Sequence, residues 1–310
     1  MVYDLIIIGG GPAGATAGIY AGRQRLKTLL IAKDFGGQVA KKAVMIENYP
    51  GFKGISGMDL IQKFIDQLKE QEVEIKKEEV AKVGKKGDIF FVLTKDKNEY
   101  EAAAVILASG SDPRPLEVPG EKEFLGRGLS YCVTCDGPVF KDKNIAVIGG
   151  GNAGFEAGIF MLNYAKKIYI LEFSSAPKAD MKNQETAKKS GKIEIITNAC
   201  LKKIEGGRFV KSIVYQDTKT KEEKKLSVEG IFVEIGYHPA TSYIKGLVDF
   251  NEKDEIKVEF ETYQTKTPGL FAAGDVNTGK FKQITTACGE GAKAALAAYN
   301  FIKSNSNYDK

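Results

Sequence analysis

Two glycine-rich turns, whose first glycines lie 140 residues apart, constrain the fold of this 310-residue chain more than any other feature. The first turn, Gly9 to Gly14, follows the β-branched run Val2 to Ile8 and precedes a helical pattern from Ala15 to Arg23. A G-x-G-x-x-G turn between a strand and a helix lets backbone N–H groups approach a pyrophosphate at the helix N-terminus. Pro12 suits the first helical position, where a missing N–H costs nothing. The pattern predicts a β-α-β unit that binds a dinucleotide.

An acidic residue follows this unit at the spacing expected of a ribose ligand. Leu26 to Ala32 is an apolar run that predicts a second strand, and Asp34 stands just past its end, twenty residues after Gly14. A carboxylate at this distance from the glycines is typical of hydrogen bonding to a ribose diol. Strand, glycines, helix and acid arrive in order, which makes the match specific.

The same pattern recurs in the second half of the chain. A strand, a second glycine turn, a helix and another strand are expected at 144–148, 149–154, 155–163 and 167–171. Glu172 follows the last strand, twenty-one residues after Gly151. An acid there favours a free ribose 2′-hydroxyl and disfavours a 2′-phosphate, although a solvated strand end is the alternative interpretation. Two copies so far apart indicate two domains, because solenoid repeats recur every ~20–50 residues.

The predicted fold class is therefore α/β, with two Rossmann-like dinucleotide-binding domains, the second inserted in the first. We expect the first domain at 1–112 plus 242–310 and the second at 113–241. Asp112 to Pro115 is too rich in proline for a helix or a central strand, which makes it the first linker. His238, the only histidine, falls in the second linker and is not expected to be catalytic.

The remaining predicted elements fill these two domains. Apolar spacing and alanine content predict helices at 58–70 and 283–302, and loops are expected at 35–38 and 46–51. Strands are expected within 73–93 and 267–275, and at 102–108, 193–199, 210–217 and 226–235.

The run Cys132-Val-Thr-Cys135-Asp136 carries the chemistry. A disulfide that closes so small a loop removes little entropy from the unfolded chain, so its value as a structural staple is slight. A carboxylate beside a thiol pair provides the proton transfer that thiol–disulfide exchange needs. The alternatives are an ordinary reduced pair and half of a zinc site. A four-coordinate zinc site would need ligands from Cys200, Cys288 or His238, which are isolated in the sequence.

Composition excludes several classes of function. The chain has 43% hydrophobic and 27% charged residues, and its net charge of +5 comes from 45 basic and 40 acidic residues that are interleaved. No basic block marks a nucleic-acid-binding face. Four cysteines do not make a secreted disulfide framework. The N-terminus lacks a basic region, and no apolar run is long enough for a membrane span. We expect a cytoplasmic protein with no nucleic-acid or membrane partner.

Several unrelated motifs, in the same order, resemble those of the low-molecular-weight thioredoxin reductase family. They are GGGPAG at 9–14, FGGQ at 35–38, ENYPG at 47–51, CVTCDG at 132–137, GGGNAG at 149–154, and AAGDV at 272–276 followed by KQI at 282–284. The resemblance covers nearly the whole chain. It implies an FAD domain made of both chain ends, an inserted domain that binds a nicotinamide nucleotide and carries the redox disulfide, and a homodimer.

The resemblance also implies roles for particular residues. Cys135 would face the flavin, Cys132 would attack the partner's disulfide, and Asp136 would be the acid–base. The implied FAD contacts are Gly9, Gly11, Pro12, Ala13, Gly14, Asp34, Gly37, Gln38, Asn48, Val80, Ala108, Ser109, Gly110, Asp275, Lys282, Gln283 and Ile284. The implied contacts to the nicotinamide nucleotide are Gly149, Gly151, Asn152, Ala153, Gly154 and Glu172. No metal ligand is implied.

One segment departs from the pattern of NADPH-using members, which carry a His-Arg-Arg stretch followed by another arginine. Here the corresponding segment, Leu171 to Asp180, has no arginine. Together with Phe232 to Gly236 and Gly289 to Lys293, it is more similar to the reductase portion of the NADH-dependent alkyl hydroperoxide reductase flavoprotein. That relative has an extra N-terminal thioredoxin-like module, which we do not expect in this chain. An external thioredoxin-fold partner is therefore implied.

The expected function is that of a thioredoxin-disulfide reductase-like flavoprotein. Electrons would pass from NADH, in preference to NADPH, through FAD and the Cys132–Cys135 disulfide to a thioredoxin or thioredoxin-fold protein. Two alternatives stay open. The same disulfide could be fed by ferredoxin or a deazaflavin, as in branches of the family without the arginines. A flavin- or nucleotide-binding redox sensor without turnover is the alternative from another class.

Overall fold

The chain folds into two compact units that are interleaved in sequence. The structure is a computed structural model that describes residues 2–42 and 45–305. The first unit comprises Met1–Asp112 and His238–Lys310, and the second comprises Pro113–Tyr237. The second unit is therefore inserted in the first.

The first unit begins with parallel strands joined by helices and continues with antiparallel strands. In chain order its elements are β1 (Val2–Gly10), α1 (Pro12–Arg23), β2 (Thr28–Phe35), α2 (Gly37–Lys42), α3 (Gly57–Lys69), β3 (Val73–Lys76), β4 (Val80–Lys86), β5 (Ile89–Thr94) and β6 (Glu99–Leu107). Helix α3 begins at a true N-cap, because the Ser56 hydroxyl accepts the N–H of Asp59 at 3.1 Å.

The second unit repeats the parallel β-α-β arrangement and adds a small antiparallel sheet. A short strand on each connection brackets it. The elements are β7 (Ser111–Pro113), α4 (Glu121–Phe124), β8 (Leu129–Ser130), α5 (Val133–Asp136), β9 (Asn144–Ile148), α6 (Asn152–Met161), β10 (Lys167–Leu171), α7 (Met181–Lys189), β11 (Ile193–Ile196), β12 (Ala199–Gly206), β13 (Val210–Asp217), β14 (Glu223–Ser227), β15 (Gly230–Val233) and β16 (Tyr237–Pro239). Its parallel sheet has the order β11-β10-β9-β15-β8, and β12-β13-β14 form the antiparallel sheet.

The chain then returns to the first unit with two elements, β17 (Leu270–Ala272) and α8 (Ile284–Asn305). The sheet of the first unit has the order β3-β2-β1-β6-β5-β4, and β17 lies beside the carboxyl half of β6. Helix α8 packs along α1. The carboxyl ends of β1, β6 and β17 therefore lie side by side at one edge of the sheet.

The central part of β1, Leu5 to Ile8, is apolar because it is covered on both faces. Leu5 and Ile7 pack with the alanines of α1 and α8, whereas Ile6 and Ile8 pack with Phe90 and other residues of the antiparallel strands. Such two-sided burial is why a parallel strand reads as a continuous apolar run. Burial of each side chain of this kind stabilises the fold by about 1.5–3 kcal/mol. Strand β1 therefore holds the turn that follows it in a fixed position.

The predicted fold class, α/β with parallel-strand sheets, is confirmed, but three local predictions are wrong. The strand expected at 193–199 is two strands, because Asn198 takes a left-handed conformation (φ +56°) between β11 and β12. The strand expected at 226–235 is also split, and β14 and β15 belong to different sheets. The loop expected at 35–38 becomes helix α2 from Gly37 onward. In each case an asparagine or a glycine lies at the change of element.

Within the described residues, no helix combines the length and the apolar character needed to cross a membrane.

Candidate active site

The first glycine loop, Gly9 to Gly14, lies at the carboxyl end of β1 in a conformation that requires glycine. Gly9 has φ +117°, and a Cβ there would lie 2.2 Å from the carbonyl oxygen of Ala108. A Cβ on Gly14 would lie 1.9 Å from the carbonyl oxygen of Gly9, so α1 begins against the loop's backbone. A Cβ on Gly11 would meet nothing within 4 Å. The loop therefore leaves open space in front of the first turn of α1.

Other predicted site residues border that space. A Cβ on Gly37 would lie 3.9 Å from the Cα of Gly11, so these two turns face each other. The Gln38 side-chain amide donates to the carbonyl oxygen of Ser111 and, at 3.4 Å, to the Asp275 carboxylate. The structure thus gathers four segments that are distant in sequence at one edge of the first sheet.

Asp275 is a buried carboxyl group at this edge. Its burial raises its pKa to about 6, an effect that the ammonium group of Lys282 opposes and that Glu290 and Glu255 reinforce. Lys282 Nζ donates to the carbonyl oxygen of Asp275 at 3.2 Å and forms an ion pair with Glu255 at 3.2 Å. Near neutral pH the Asp275 carboxyl group can therefore either donate or accept a hydrogen bond.

A second buried acid, Glu290 on α8, fixes the turn before Asp275. One oxygen of Glu290 accepts the N–H of Gly274 and the side-chain amide of Asn277, both at 2.7 Å. Burial raises the pKa of this carboxyl group, while these two bonds lower it. Because a Cβ on Gly291 would lie 2.1 Å from the carbonyl oxygen of Ala13, α8 is held in backbone contact with the start of α1.

The turn Ala108-Ser109-Gly110 is fixed through the serine side chain. The Tyr243 hydroxyl donates to Ser109 Oγ at 2.8 Å, and Ser109 Oγ donates to the carbonyl oxygen of Ala240 at 2.8 Å. Burial raises the pKa of Tyr243, which keeps it a neutral donor. A Cβ on Gly110 would meet nothing within 4 Å, so this turn also leaves its backbone accessible.

The other predicted contacts of the first unit lie around the same edge. Asn48 donates to the Gln283 side chain at 3.3 Å, and Ile284 packs with a small cluster that includes Ile46 and Ile55. Asp34 lies inside the end of β2 rather than past it, and its side chain is exposed.

Val80 is the first residue of β4, which is the last strand in the sheet order. It nevertheless lies close to β2. Its neighbour Glu79 pairs with Lys33 on β2 at 3.1 Å. Val80 itself packs, partly buried, on the core that lines the antiparallel face. The structure thus places Val80 near the carboxyl end of β2.

The second glycine loop, Gly149 to Gly154, repeats the backbone of the first. Gly149 has φ +124°, and a Cβ there would lie 2.3 Å from the carbonyl oxygen of Glu234. A Cβ on Gly154 would lie 1.9 Å from the carbonyl oxygen of Gly149, and one on Gly151 would meet nothing within 4 Å. Asn152 and Ala153 form the exposed first turn of α6.

Glu172 lies directly after β10 and is buried, with 8% of its surface exposed. One carboxylate oxygen accepts the N–H of Gly150 at 2.8 Å, and the other accepts the N–H of Ser174 at 2.7 Å. Glu172 is therefore not a solvated strand end. It connects the second glycine loop to the segment that follows β10.

The segment after Glu172 is held to the second glycine loop by further bonds. The N–H groups of Lys178 and Ala179 donate to the carbonyl oxygen of Gly150 at 2.9 and 3.2 Å. Asn152 and Asp180 bond reciprocally, since the Asn152 amide donates to the Asp180 carboxylate at 3.1 Å and the Asp180 N–H donates to the Asn152 carbonyl at 2.7 Å. A fixed loop with two carboxylates results.

Glu234, at the end of β15, is an acid that the sequence patterns did not single out. Burial, with a smaller contribution from the Glu156 carboxylate on α6, raises its pKa to about 7. Glu234 directly follows β15, and its carbonyl oxygen is the atom that a Cβ on Gly149 would meet. A carboxyl group that titrates near neutral pH therefore lies beside the second glycine loop.

The two motif cysteines are joined in a disulfide with a Cα–Cα distance of 5.3 Å. Cys132 is half-buried at the N-cap of the short helix α5, and Cys135 is exposed within that helix. Cys200 and Cys288 are free thiols. Cys200 lies inside β12, and burial raises the pKa of Cys288, which disfavours its reactive thiolate.

Asp136 lies next to the disulfide with a perturbed carboxyl group. Burial raises its pKa, and a hydrogen bond from the Ser130 hydroxyl acts in the opposite direction. The same hydroxyl accepts the N–H of Cys132 at 3.0 Å. A carboxyl group with a raised pKa, one residue after Cys135, is a candidate proton donor and acceptor for the sulfurs.

Sequence reasoning missed four of these supporting residues. Glu234 could have been found, because an acid interrupts the apolar run Phe232 to Ile235. Ser130, Tyr243 and Glu290 carry no local signal, since their roles depend on contacts with residues 6 to 134 positions away.

The residues present fit both dinucleotide cofactors that such loops accommodate. Each loop has a glycine, Gly11 or Gly151, whose missing Cβ leaves open space in front of a helix. Backbone N–H groups and small residues at that place suit a pyrophosphate. In the first unit, Asp275, Gln38 and Lys282 add polar side chains around the space. Among the described residues, no group of three or more acidic, histidine or cysteine side chains could hold a metal ion.

Comparisons with known proteins agree with this geometry. Residues 3–291 match the family described as pyridine nucleotide-disulphide oxidoreductase. The fold matches the thioredoxin reductase of Streptococcus pyogenes MGAS5005, with a TM-score of 0.93 and 36% identity over 98% of this chain and 99% of that one. The thioredoxin reductase of T. acidophilum is 37% identical, with a TM-score of 0.64 over 98% and 99% of the two chains. The predicted pair of dinucleotide-binding domains is confirmed.

Two curated relatives are longer than this chain. The F component of alkyl hydroperoxide reductase from Pseudomonas putida is 40% identical over 304 residues, which are 97% of this chain and 58% of that protein. NADH dehydrogenase of Bacillus subtilis (strain 168) is 38% identical over 303 residues, which are 98% and 59% of the two chains. This chain spans about three fifths of the length of these relatives. The resemblance predicted from the motifs is confirmed.

Proposed function

The chain belongs to the pyridine nucleotide-disulphide oxidoreductase family, and we propose that it reduces the disulfide of a thioredoxin-like protein with electrons from NADH. The family implies FAD and a pyridine nucleotide as cofactors. The observation that carries the proposal is the Cys132–Cys135 disulfide beside the perturbed Asp136, in the same unit as the second glycine loop. A disulfide in so small a loop is suited to exchange rather than to stabilisation.

The reaction balances without a further reactant. One NADH, one proton and one partner disulfide give NAD⁺ and a partner dithiol. The thiolate of Cys132 attacks one partner sulfur and forms a mixed disulfide. Cys135 then attacks Cys132, which restores the Cys132–Cys135 disulfide and releases the partner dithiol. We assign Asp136 the proton transfers to and from the sulfurs, because it follows Cys135 directly and its burial raises its pKa, which favours the protonated form.

The first unit would hold FAD, which supplies the two-electron relay between the nucleotide and the disulfide. Gly9 to Gly14 would face its pyrophosphate, and Asp275, Gln38 and Lys282 would provide polar contacts. The remaining assigned residues, Pro12, Ala13, Asp34, Gly37, Asn48, Val80, Ala108, Ser109, Gly110, Gln283 and Ile284, complete the assignment.

The preference for NADH over NADPH is supported by the loop after β10. Glu172 and Asp180 place two carboxylates beside the second glycine loop, and no arginine occurs from 171 to 180. Negative charge repels a 2′-phosphate, whereas a carboxylate suits a ribose diol. A curated relative that carries the name NADH dehydrogenase also supports this preference. Gly149, Gly151, Asn152, Ala153 and Gly154 would provide the remaining contacts.

The partner and the assembly are also part of the proposal. Thioredoxin reductases among the structural matches support a thioredoxin-fold partner. A homodimer, and the cytoplasmic location expected from cysteine content, stay predictions.

One experiment separates this proposal from its alternatives. The purified protein is kept anaerobic and mixed with NADH, then in a second sample with NADPH, while the visible absorbance of oxidised flavin is followed. Rapid bleaching by NADH supports the proposal. Bleaching by neither nucleotide supports ferredoxin or a deazaflavin as donor. Bleaching without reduction of any thioredoxin supports the redox sensor.

A further inference from the structure

The Ser130 side chain lies between the acid and the first cysteine of the redox motif. We propose that Ser130 is a positioning residue that holds the Asp136 carboxyl group in place in both of its protonation states. This inference rests on the proposed disulfide chemistry, in which Asp136 transfers the protons. It concerns a residue of the second unit alone.

Ser130 is fixed by the sheet rather than by the loop. It is the last residue of β8, it pairs with Phe232 of β15, and it is 5% exposed. The preceding turn is held as well, because the N–H of Ile231 donates to the carbonyl oxygen of Gly128 at 2.7 Å. A buried hydroxyl at the end of a strand therefore projects toward a short helix that carries the reactive residues.

The hydroxyl has partners for each of its hydrogen-bonding positions. Ser130 Oγ accepts the N–H of Cys132 at 3.0 Å and lies 2.5 Å from Asp136 Oδ2. It also lies 3.4 Å from the carbonyl oxygen of Cys132. One hydroxyl offers one proton and two lone pairs. The three contacts match that capacity.

This arrangement provides the Asp136 carboxyl group with a hydrogen-bond partner in both of its protonation states. When Asp136 is ionised, its oxygens only accept, so the Ser130 proton points to the carboxylate. When Asp136 is protonated, its O–H can donate to the second lone pair of Ser130 Oγ, and the Ser130 proton can turn to the Cys132 carbonyl oxygen. The carboxyl group can therefore gain and lose a proton without leaving a buried group unbonded.

No charged side chain of the described residues contributes to the environment of Asp136. Helix α5 packs against the 3-10 turn Gly137–Phe140 and against α6. That turn and strand β8 contain no charged residue, and the one charged residue of α6, Glu156, acts on Glu234. Burial raises the pKa of Asp136, and the Ser130 bond is the one contact that lowers it.

Removal of the hydroxyl should therefore change the pH at which Asp136 acts. Loss of a bond that favours the ionised form raises the pKa of Asp136 further. Protonated Asp136 speeds cleavage of the disulfide because it protonates the leaving sulfur. This acceleration should consequently persist to a higher pH in Ser130→Ala.

The test uses the FAD-loaded full chain and needs neither a nucleotide nor a partner protein. Dithiothreitol is added at a series of pH values, and the rate at which Cys132–Cys135 opens is measured by alkylation and mass spectrometry. Each rate is divided by that of Asp136→Asn, which cancels the ionisation of dithiothreitol. Ser130→Thr retains the hydroxyl. Ser130→Val has the shape of the threonine variant but lacks its hydroxyl.

Four outcomes decide the matter. A midpoint at higher pH in Ser130→Ala and Ser130→Val, but not in Ser130→Thr, supports the proposal. Equal midpoints in all four proteins overturn it while leaving Asp136 as the acid. A shift of the same size in Ser130→Thr and Ser130→Val also overturns it, since shape would then be responsible. If Asp136→Asn matches the unmodified protein at every pH, the acid assignment of the proposed function fails first. If Ser130→Ala does not fold, the Ser130→Thr and Ser130→Val pair gives the same decision.

Discussion

The two glycine loops have nearly the same backbone but different surroundings. Gly9 and Gly149 have φ values of +117° and +124°, and the N-caps Gly11 and Gly151 are extended in both, with ψ of −175° and −176°. In both loops, a Cβ added to the last glycine would lie 1.9 Å from the carbonyl oxygen of the first glycine. The G-x-G-x-x-G pattern therefore determines the backbone conformation of each loop.

The residues that pack on the loops differ in charge and burial. The acid near the end of the second strand is the exposed Asp34, inside β2, in the first unit and the buried Glu172, directly after β10, in the second. The residue whose carbonyl group meets the first glycine is Ala108 in the first unit and Glu234 in the second. The glycine pattern therefore specifies the backbone of a dinucleotide-binding loop, whereas the neighbouring acidic residues determine the charge around that loop.

The largest effect should come from adding a methyl group at the two kinds of glycine. Gly154→Ala places a Cβ 1.9 Å from a backbone oxygen, which no side-chain movement can relieve. We expect it to destabilise the protein by more than about 3 kcal/mol, as we do for Gly14→Ala. Urea unfolding followed by circular dichroism measures the loss.

Gly151→Ala and Gly11→Ala are the matched controls, because their Cβ atoms would enter open space and their backbone is extended. Each should change stability by less than about 0.5 kcal/mol yet weaken retention of the dinucleotide in its own unit. A Gly154→Ala protein as stable as Gly151→Ala would contradict the geometry.

The next effect tests the difference between the two acids. Glu172→Ala leaves the N–H groups of Gly150 and Ser174 without their buried acceptor, which should cost about 2–4 kcal/mol. Asp34→Ala removes an exposed side chain and should cost less than Glu172→Ala does. Thermal unfolding of the two variants, side by side, gives the comparison. Equal losses would show that the bonds of Glu172 do not stabilise the second loop.

The order of these effects reflects what the sequence can and cannot predict. The glycine loops, α3 and α8 were predicted because each depends on local spacing, a cap or an apolar face. The turn at Asn198 and the break between β14 and β15 were missed although the sequence holds a signal at each. Asparagine tolerates the left-handed conformation, and Glu229-Gly230 interrupts the apolar run. The bond of Glu172 to Gly150 and that of Tyr243 to Ser109 join residues 22 and 134 positions apart, and no local pattern encodes them.

A smaller effect should follow from the pH dependence of Glu234. Its pKa is raised from 4.5 to about 7 in the folded protein, so the folded state binds more protons between those values and stability falls as pH rises through them. Glu234→Gln removes this dependence. It should stabilise the protein by about 2 kcal/mol above pH 7, with allowance for partial solvent screening.

Below pH ~4.5 the gain of Glu234→Gln should vanish, because Glu234 is then protonated in both folded and unfolded chains. Unfolding in urea at pH 4 and pH 8 measures both limits. As a control, Glu156→Gln should lower the midpoint of the pH dependence without abolishing it, since Glu156 is the lesser cause. A gain from Glu234→Gln that is the same at both pH values would exclude ionisation as its origin.

The smallest expected effect is on the preference for NADH over NADPH, which depends on the charge around the second glycine loop. At ~5 Å and an effective dielectric near 20, each unit of like charge between Glu172 and a 2′-phosphate costs roughly 3 kcal/mol, less after screening by salt. A tenfold preference for NADH in kcat/KM requires only ~1.4 kcal/mol of this, so we expect at least that ratio. Ser175→Arg, at an exposed position of the same loop, should narrow the ratio, because a guanidinium group binds phosphate through two bonds. Ser175→Lys, which adds charge without the fork, should narrow it less. Equal efficiency with both nucleotides in the unmodified protein would refute the assignment, and failure with both would favour ferredoxin or a deazaflavin as the donor.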